Sequence, residues 1–250
     1  IVPPVANYSN GPCGFAYNPG TALNGRYRQH FFHAQGKKLS AFKVKSRGAS
    51  FEMIGEHTVH SGIYNTGLDF GPDGALYVAS FTGFPYPNRA AYVYRVEDQN
   101  GDGDGLDDGE TTVYASGFSV ATSIAFQEDG GLLVTEYSTD MLRLVRHEGG
   151  IEHAEKVPGR LIRWQSGEIE VLAEGLVSPT SVVVREGKAL VVEQFAGRVT
   201  EISLDNNARK FAWNWAIVAG PISAIFVFSI LAWRGRLLNR FAVFESRSHP

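Results

Sequence analysis

Short runs of apolar residues alternate with glycine-containing turns along most of the chain, and the alternation recurs at a nearly constant spacing. Turns such as Gly-Pro-Asp-Gly at 71–74 connect antiparallel β-strands. We predict first strands at 14–17, 67–70, 123–126 and 181–184, and second strands at 30–35, 76–81, 132–137 and 190–195. Third strands are predicted at 39–44, 92–96, 161–164 and 199–204, and fourth strands at 51–54, 112–115 and 169–173.

The repeating unit has up to four strands and a period of roughly 50 residues or slightly more, which indicates the blades of a β-propeller. Three blades are complete and a fourth has three strands. The predicted fold class is therefore all-β, a partial β-propeller of about three and a half four-stranded blades. The end blades of such an arc expose apolar faces, and an exposed apolar face favours a partner.

An uncharged stretch at residues 211–233 predicts one C-terminal transmembrane helix. At about 1.5 Å per residue it is roughly 34 Å long, enough to cross a hydrocarbon core of about 30 Å. Trp213 and Trp215 lie near one end and Trp233 at the other, as an aromatic belt requires. The alternative is a buried core helix, although core helices of this length usually carry charges.

Basic residues on the two sides of this stretch predict its orientation, because cytoplasmic flanks carry more lysine and arginine. The basic residues that follow it are Arg234, Arg236, Arg240 and Arg247, and those that precede it are Arg198, Arg209 and Lys210. We therefore expect an extracytoplasmic, periplasmic propeller (residues 1–205), a linker (206–210), a single-pass helix (211–233) and a cytoplasmic tail (234–250).

Composition limits the remaining function classes. The net charge of −3 argues against a basic nucleic-acid binder, and the 44% hydrophobic content argues against a disordered chain. Cys13 is the single cysteine, so neither an intrachain disulfide nor a thiolate zinc cluster can form.

Five segments in order carry a family resemblance: Asn-Pro-Gly-Thr-Ala-Leu at 18–23, His-Phe-Phe at 30–32, and the stretches at 40–45, 48–52 and 66–78. This series resembles the sugar-dehydrogenase-like propellers, which include soluble quinoprotein glucose and sorbosone dehydrogenases and their haem-binding membrane relatives. The resemblance covers residues 12–204, about half of such a propeller. It implies a propeller fold and, in the family's enzymes, pyrroloquinoline quinone or substrate at the centre of a complete ring.

The chain departs from that family at the positions that carry its chemistry. The catalytic histidine and the basic residues that contact the quinone have no residue-by-residue match. The haem-binding relatives need a Cys-x-x-Cys-His motif, which one cysteine cannot supply. We therefore predict no catalytic residue and regard pyrroloquinoline quinone as a disfavoured cofactor.

An acidic segment at residues 98–110 predicts a calcium site, because oxygen side chains at alternate positions with an intervening glycine suit this ion. One register starts at Asp98 and the other at Asn100, and the second resembles the calcium repeats of thrombospondin. Neither register has a glutamate at position 12 of an EF-hand loop. The alternative is a solvated acidic turn. The candidate ligands are Asp98, Asn100, Asp102, Asp104, Asp108 and Glu110.

Polar residues recur where the second strands end. The repeat aligns Gln35, Ser80, Glu136 and Gln194, whereas Glu193 is expected on the opposite face because side chains alternate along a strand. These positions suggest either a ligand site or exposed strand ends. Separately, residues 82–89 form a proline-rich loop that suits contact with a partner.

Two functions remain open. The first is a non-catalytic, membrane-anchored accessory subunit, whose propeller docks on and stabilises a membrane protein complex of respiration or photosynthesis. The second is a membrane-anchored, quinone- or haem-linked sugar dehydrogenase. We favour the first, with other membrane subunits and the lipid bilayer as partners, because the ring is short and cofactor motifs are missing.

Overall fold

The computed structural model describes residues 12–146 and 150–205, which form four antiparallel sheets. The strands of blade 1 are β1 (Pro12–Tyr17), β2 (Phe31–Gln35), β3 (Lys38–Arg47) and β4 (Ser50–Ser61). Those of blade 2 are β5 (Asn65–Phe70), β6 (Leu76–Ser80), β7 (Ala91–Val96) and β8 (Thr111–Phe118). Those of blade 3 are β9 (Ala121–Phe126), β10 (Leu132–Glu136), β11 (Gly159–Gln165) and β12 (Glu168–Leu176). Blade 4 has β13 (Pro179–Arg185), β14 (Lys188–Glu193) and β15 (Arg198–Ser203).

The predicted four-blade, all-β architecture is confirmed. Every predicted strand overlaps an observed one, and within each sheet the strands pair in chain order. The first strands of successive blades lie side by side, β1 with β5, β5 with β9 and β9 with β13. This order is the arrangement of a propeller, in which the first strands line the inside of the ring.

Apolar side chains fill the space between successive blades. Phe32 and Leu39 of blade 1 belong to one buried apolar cluster with Leu76 of blade 2. Equivalent clusters lie between blades 2 and 3 and between blades 3 and 4. Each blade alternates side chains between its two faces and buries one face against the next blade.

Two short helices lie in the connection between β10 and β11, to which the sequence analysis assigned no element. They are α1 (Met141–Arg146) and α2 (Gly150–Lys156). Asp140 begins α1, since its Oδ1 accepts a hydrogen bond from the backbone N of Arg143 at 3.0 Å. At six and seven residues, the helices are too short to show a clear 3.6-residue pattern.

Antiparallel pairing places alternate connections at opposite ends of every blade. The upper end has the connections between second and third strands and those between blades: residues 36–37, 62–64, 81–90, 119–120, 137–158, 177–178 and 194–197. The lower end has the connections between first and second strands and between third and fourth strands, including residues 97–110.

No helix in the described residues is long and apolar enough to cross a membrane. The predicted transmembrane helix at 211–233, its linker and its tail lie outside those residues, so these three segments stay predictions.

Candidate functional site

The acidic segment is the connection between β7 and β8 at the lower end of blade 2. Carboxylate oxygens of Asp102, Asp104 and Glu110 all lie within 4.8 Å of one another. Glu110 is 2% exposed, whereas Asp102 lies at the surface, so the group opens from a buried acid toward solvent. Three convergent carboxylates form a hard, all-oxygen donor set of the kind that calcium prefers.

Hydrogen bonds between side chains and nearby backbone amides shape this loop. Asn100 Oδ1 accepts from the N of Asp102 (2.8 Å), Asp102 Oδ1 from the N of Asp104 (3.1 Å), and Asp104 Oδ1 from the N of Leu106 (3.0 Å). Such bonds from residue i to i+2 make tight turns without a β-ladder. The alternate acidic positions thereby turn toward one centre.

Glu110 closes the loop on itself. Its Oε1 accepts from the backbone N of Gln99 at 2.8 Å, and its Oε2 accepts from the N of Asp107 at 3.2 Å. This carboxylate therefore joins the start of the loop to its end, and it lies directly before β8. Glu110 is buried beside Asp102 and Asp104, so it joins their carboxylate group although it does not occupy the glutamate position of an EF-hand loop.

Blade 1 holds the same loop from the other side. The Tyr27 hydroxyl donates to the carbonyl of Gly103 at 2.6 Å, and Asn24 Nδ2 donates to the carbonyl of Asp98 at 2.7 Å. The backbone N of Gly105 donates to the carbonyl of Val59 at 2.8 Å. The loop thus spans the junction between blades 1 and 2.

The carboxylates of this loop repel one another. Loss of solvation and the nearby charges of Asp102, Glu110 and Asp104 raise the pKa of Asp107. A bound cation would relieve this repulsion by neutralising the group.

The structure brings together part of the predicted ligand set. Asp102, Asp104 and Glu110 converge, whereas Asp98 and Asp108 are not in that group. Asp98 instead accepts a hydrogen bond from the backbone N of Gly101 at 2.6 Å. Asn100 borders the group, since its Nδ2 donates to Asp102 Oδ2 at 3.1 Å.

The polar positions at the ends of the second strands contain two equivalent ion pairs, each between a buried glutamate and an arginine that reaches the surface. Glu136 is fully buried at the end of β10, where its carboxylate accepts from the N of Ser119 (2.8 Å) and pairs with Arg160 (2.5 Å). Glu193 repeats this arrangement at the end of β14, with the N of Val177 at 2.6 Å and Arg198 at 2.7 Å.

The residue equivalent to Glu136 is therefore Glu193 and not Gln194, which corrects the sequence alignment. The error arises because the predicted strands aligned Leu190 with Leu132, whereas Ala189 pairs with Val184 as Leu132 pairs with Phe126. Each carboxylate binds an arginine and the backbone N–H of a residue just before the first strand of its own blade. Both carboxylates therefore act as buried hydrogen-bond acceptors. These contacts fix the upper end of blades 3 and 4.

Aromatic rings cover the face of blade 1 that points away from blade 2. Phe15, Tyr17 and Phe51 are 60%, 52% and 53% exposed. The Phe31 ring lies between its neighbours, with centroid distances of 5.3 Å to Phe15, 5.1 Å to Tyr17 and 5.8 Å to Phe42. We call Phe15, Tyr17, Phe31, Phe42, Val44 and Phe51 the aromatic face.

The outer face of blade 4 is aliphatic. Val183 and Val199 are 57% and 62% exposed, and Val192 lies opposite Val199 in the sheet. Both end blades therefore expose apolar side chains of the kind that lie between blades elsewhere.

Comparison with known proteins identifies the fold. A family model described as a domain of unknown function (DUF7133) matches residues 36–157. No curated protein matches the chain. The PQQ-bound aldose sugar dehydrogenase from Streptomyces coelicolor aligns with a TM-score of 0.51 and 17% identity, over 82% of this chain and 66% of that one.

A second solved structure gives the same result. The iodide structure of a Trichoderma reesei carbohydrate-active enzyme of family AA12 aligns with a TM-score of 0.51 and 11% identity, over 76% of this chain and 47% of that one. This chain thus spans between about half and two thirds of the propellers that it resembles. At such identities the likeness is one of fold, and the chain has the propeller fold of the sugar-dehydrogenase-like proteins, as its sequence predicted.

Proposed function

We propose that this protein is a non-catalytic, membrane-anchored accessory subunit. Its propeller lies on the extracytoplasmic side, docks on a membrane protein complex and stabilises it, and residues 211–233 anchor it in the bilayer. A respiratory or photosynthetic complex is the proposed host. The observation that carries this proposal is the exposed aromatic face of blade 1.

The chemistry of that face indicates what covers it. Monomeric proteins rarely expose a large contiguous apolar patch unless it binds something. The face pairs Phe31 with Phe42 across two strands, and its rings leave an apolar groove of about 380 Å³. Inside this propeller, such faces pack on the apolar face of a neighbouring sheet. The proposed occupant is therefore a protein subunit that presents an apolar β-sheet face.

Co-purification from native membranes tests the proposal. Phe15→Ser combined with Phe51→Ser should release the subunit from its complex, because both exposed rings leave the docking face. Phe84→Ser is the matched control, since Phe84 is 73% exposed but lies outside that face. If both variants co-purify with the complex to the same extent, the proposal is contradicted. An unchanged host complex after deletion of the gene would also contradict it.

We further propose calcium as the ligand of the acidic loop. Asp102, Asp104 and Glu110 would hold the ion, whose role there is to fix the shape of the loop that contacts blade 1. The donor set fits calcium because three carboxylates converge on a turn that is already formed.

The second candidate function is a membrane-anchored, quinone- or haem-linked sugar dehydrogenase, and the fold shared with a PQQ-bound aldose sugar dehydrogenase favours its quinone form. A quinone that carries carboxylates needs cationic partners, but Arg160 and Arg198 already pair with Glu136 and Glu193. These two arginines therefore fit such a group poorly.

Reconstitution separates the two functions. Purified protein supplied with pyrroloquinoline quinone, calcium and an aldose should reduce no electron-accepting dye. Sustained aldose-dependent reduction that is lost in Glu136→Gln would reverse the order of the two candidates.

A further inference from the structure

A threonine recurs at the second residue of the first strand in blades 2, 3 and 4. These residues are Thr66, Thr122 and Thr180. In all three blades the pairing of the first strand with the second shifts at this residue, so each threonine lies in a bulge. The three threonines are therefore structurally equivalent.

The first two of these threonines join neighbouring blades. The hydroxyl of Thr66 donates to the carbonyl of Ala121 at 2.8 Å, and the hydroxyl of Thr122 donates to the carbonyl of Pro179 at 2.8 Å. Ala121 and Pro179 are each the first residue of the first strand in the following blade. Each threonine thus binds the beginning of the next blade.

A serine after the threonine adds a second contact at the junction of blades 3 and 4. Ser123 Oγ accepts a hydrogen bond from the backbone N of Val182 at 3.3 Å. Thr122 and Ser123 therefore bind a carbonyl and an N–H of one extended strand of blade 4. Blade 4 repeats this threonine–serine pair as Thr180 and Ser181.

The repeated pair lies on the outer face of blade 4. The side chains of Thr180 and Ser181 form no hydrogen bond with the rest of the described chain, although the equivalent pair in blade 3 does. Thr180 lines a groove of about 420 Å³ together with Val192 and Val199. Two polar groups that serve a blade junction elsewhere are thus available beside an open apolar groove.

The apolar positions around this pair repeat those of a blade junction as well. Ala125 and Leu161 of blade 3 are buried in the cluster between blades 3 and 4. Strand pairing shows that their equivalents in blade 4 are Val183 and Val199, which are exposed. The outer face of blade 4 therefore has both the apolar and the polar groups with which blade 3 binds its neighbour.

We propose that the outer face of blade 4 binds a β-propeller blade of the partner subunit, whose first strand lies beside β13. Thr180 donates to a main-chain carbonyl of that strand and Ser181 accepts from one of its N–H groups, as the equivalent pair of blade 3 does on blade 4. Val183 and Val199 pack on the apolar face of that blade. The inference rests on the proposed function for the existence of a partner subunit, and it adds the fold of the partner and a second docking surface.

The two polar groups favour a propeller blade over other occupants. A helix bonds its carbonyl and N–H groups internally, and lipid hydrocarbon has neither group. The free edge of an extended strand offers both. A second copy of this chain would have to present its aromatic face, because that side of blade 1 is equivalent to the side of blade 4 that packs on blade 3. In the proposed function the partner subunit already covers the aromatic face.

Photo-cross-linking in native membranes identifies the occupant. Val199, at the margin of the outer face, is replaced by p-benzoyl-phenylalanine in the full chain, and the cross-linked peptide is located by mass spectrometry. The expected product joins residue 199 to another subunit, within a segment that forms a propeller blade in that subunit. A cross-link to lipid, to a helix, to a second copy or to another segment of this chain would overturn the inference, as would the absence of any product.

Substitution of Thr180 tests its hydrogen bond. Thr180→Val keeps the branched shape but removes the hydroxyl, so the subunit should dissociate from its complex about two- to tenfold faster. Thr112→Val is the matched control, because Thr112 is exposed on β8, outside this face. Equal dissociation rates for the two variants would overturn the assigned contact.

A charge on the outer face tests the apolar contact. Val183→Asp should speed dissociation at least about tenfold, because it places an unpaired carboxylate in an apolar interface. Val113→Asp is the matched control, since Val113 is 55% exposed on β8 and Val183 is 57% exposed. Both purified variants should melt close to the wild-type temperature. Equal dissociation of the two variants would overturn the inference.

The aromatic-face variant separates this inference from the proposed function. If Phe15→Ser with Phe51→Ser releases the subunit and Val183→Asp does not, the inference is overturned and the proposed function stands. If Val183→Asp alone releases it and the cross-link reaches a propeller blade of another subunit, the inference stands and the aromatic face is not the docking surface.

Discussion

The hydroxyl of Tyr27 donates a hydrogen bond of 2.6 Å to the carbonyl of Gly103, which joins the first connection of blade 1 to the acidic loop of blade 2. Burial raises the pKa of Tyr27, so the hydroxyl keeps the proton that it donates. The two residues are 76 positions apart in the chain. This contact therefore makes the loop part of the blade junction.

Removing that hydroxyl should destabilise the propeller. Tyr27→Phe leaves the Gly103 carbonyl without this donor, which costs about 1–2 kcal/mol. The melting temperature should fall by about 2–8 °C in a domain of this size. Tyr17→Phe is the control, because Tyr17 is 52% exposed. Equal melting of the two variants would show that the Tyr27 contact does not support the junction.

Calcium should stabilise the folded chain through the convergent carboxylates. A ligand at about 100 times its dissociation constant adds about 2.7 kcal/mol. Chelator should therefore lower the wild-type melting temperature by about 5–10 °C. Asp102→Asn with Asp104→Asn should abolish that response.

The matched control for the calcium prediction is Asp108→Asn, which removes an acid of the same loop that lies outside the group. It should keep the response to chelator. If the wild type melts at one temperature with and without chelator, the loop is an acidic turn and not a calcium site.

The strands were predictable because each blade repeats the same local pattern. Glycine-containing turns and apolar runs lie close together in sequence, so they identify a hairpin without knowledge of the fold. The two helices between β10 and β11 were not predictable in this way. α1 has only six residues, too few for a clear 3.6-residue pattern.

A convergence of carboxylates in the acidic loop was predictable from the sequence, but the residues that converge were not. Alternate acidic positions indicated the convergence of Asp102 and Asp104. The exclusion of Asp98 depends on a backbone N–H that its carboxylate binds, and the position of the loop depends on blade 1. Contacts between distant segments have no local sequence signal. The aromatic face was foreseen only as an exposed end blade, without its residues.

Glu193 should make stability depend on pH in the acidic range. Burial disfavours its charged form, but Arg198, Thr200 and the N–H of Val177 outweigh this effect and lower the pKa of Glu193. A lowered carboxyl pKa stabilises the fold above the unfolded value of about 4.3. This contribution is lost as the pH falls below that value toward the folded pKa.

Urea unfolding at several pH values measures the Glu193 effect. Glu193→Gln should cost about 1–3 kcal/mol at pH 7, since a buried acceptor of several hydrogen bonds is weakened. Its unfolding free energy should fall less between pH 5 and 3 than that of the wild type. Glu168→Gln, at an exposed position of β12, should keep the wild-type slope. If the unfolding free energies of Glu193→Gln and the wild type change in parallel with pH, Glu193 is not the source of the pH dependence.

Close backbone contact between blades 2 and 3 should make Gly67 irreplaceable. A Cβ at Gly67 would lie 2.8 Å from the Cα of Ser123 and 2.9 Å from the carbonyl oxygen of Thr122. Both atoms belong to the backbone of β9, so the blades must separate to admit a methyl group. Overpacking of this kind costs about 1–3 kcal/mol. Gly83→Ala is the control, because a Cβ there meets nothing within 4 Å. Urea unfolding should therefore show a lower midpoint for Gly67→Ala alone, and equal midpoints would mean that the first strands lie farther apart.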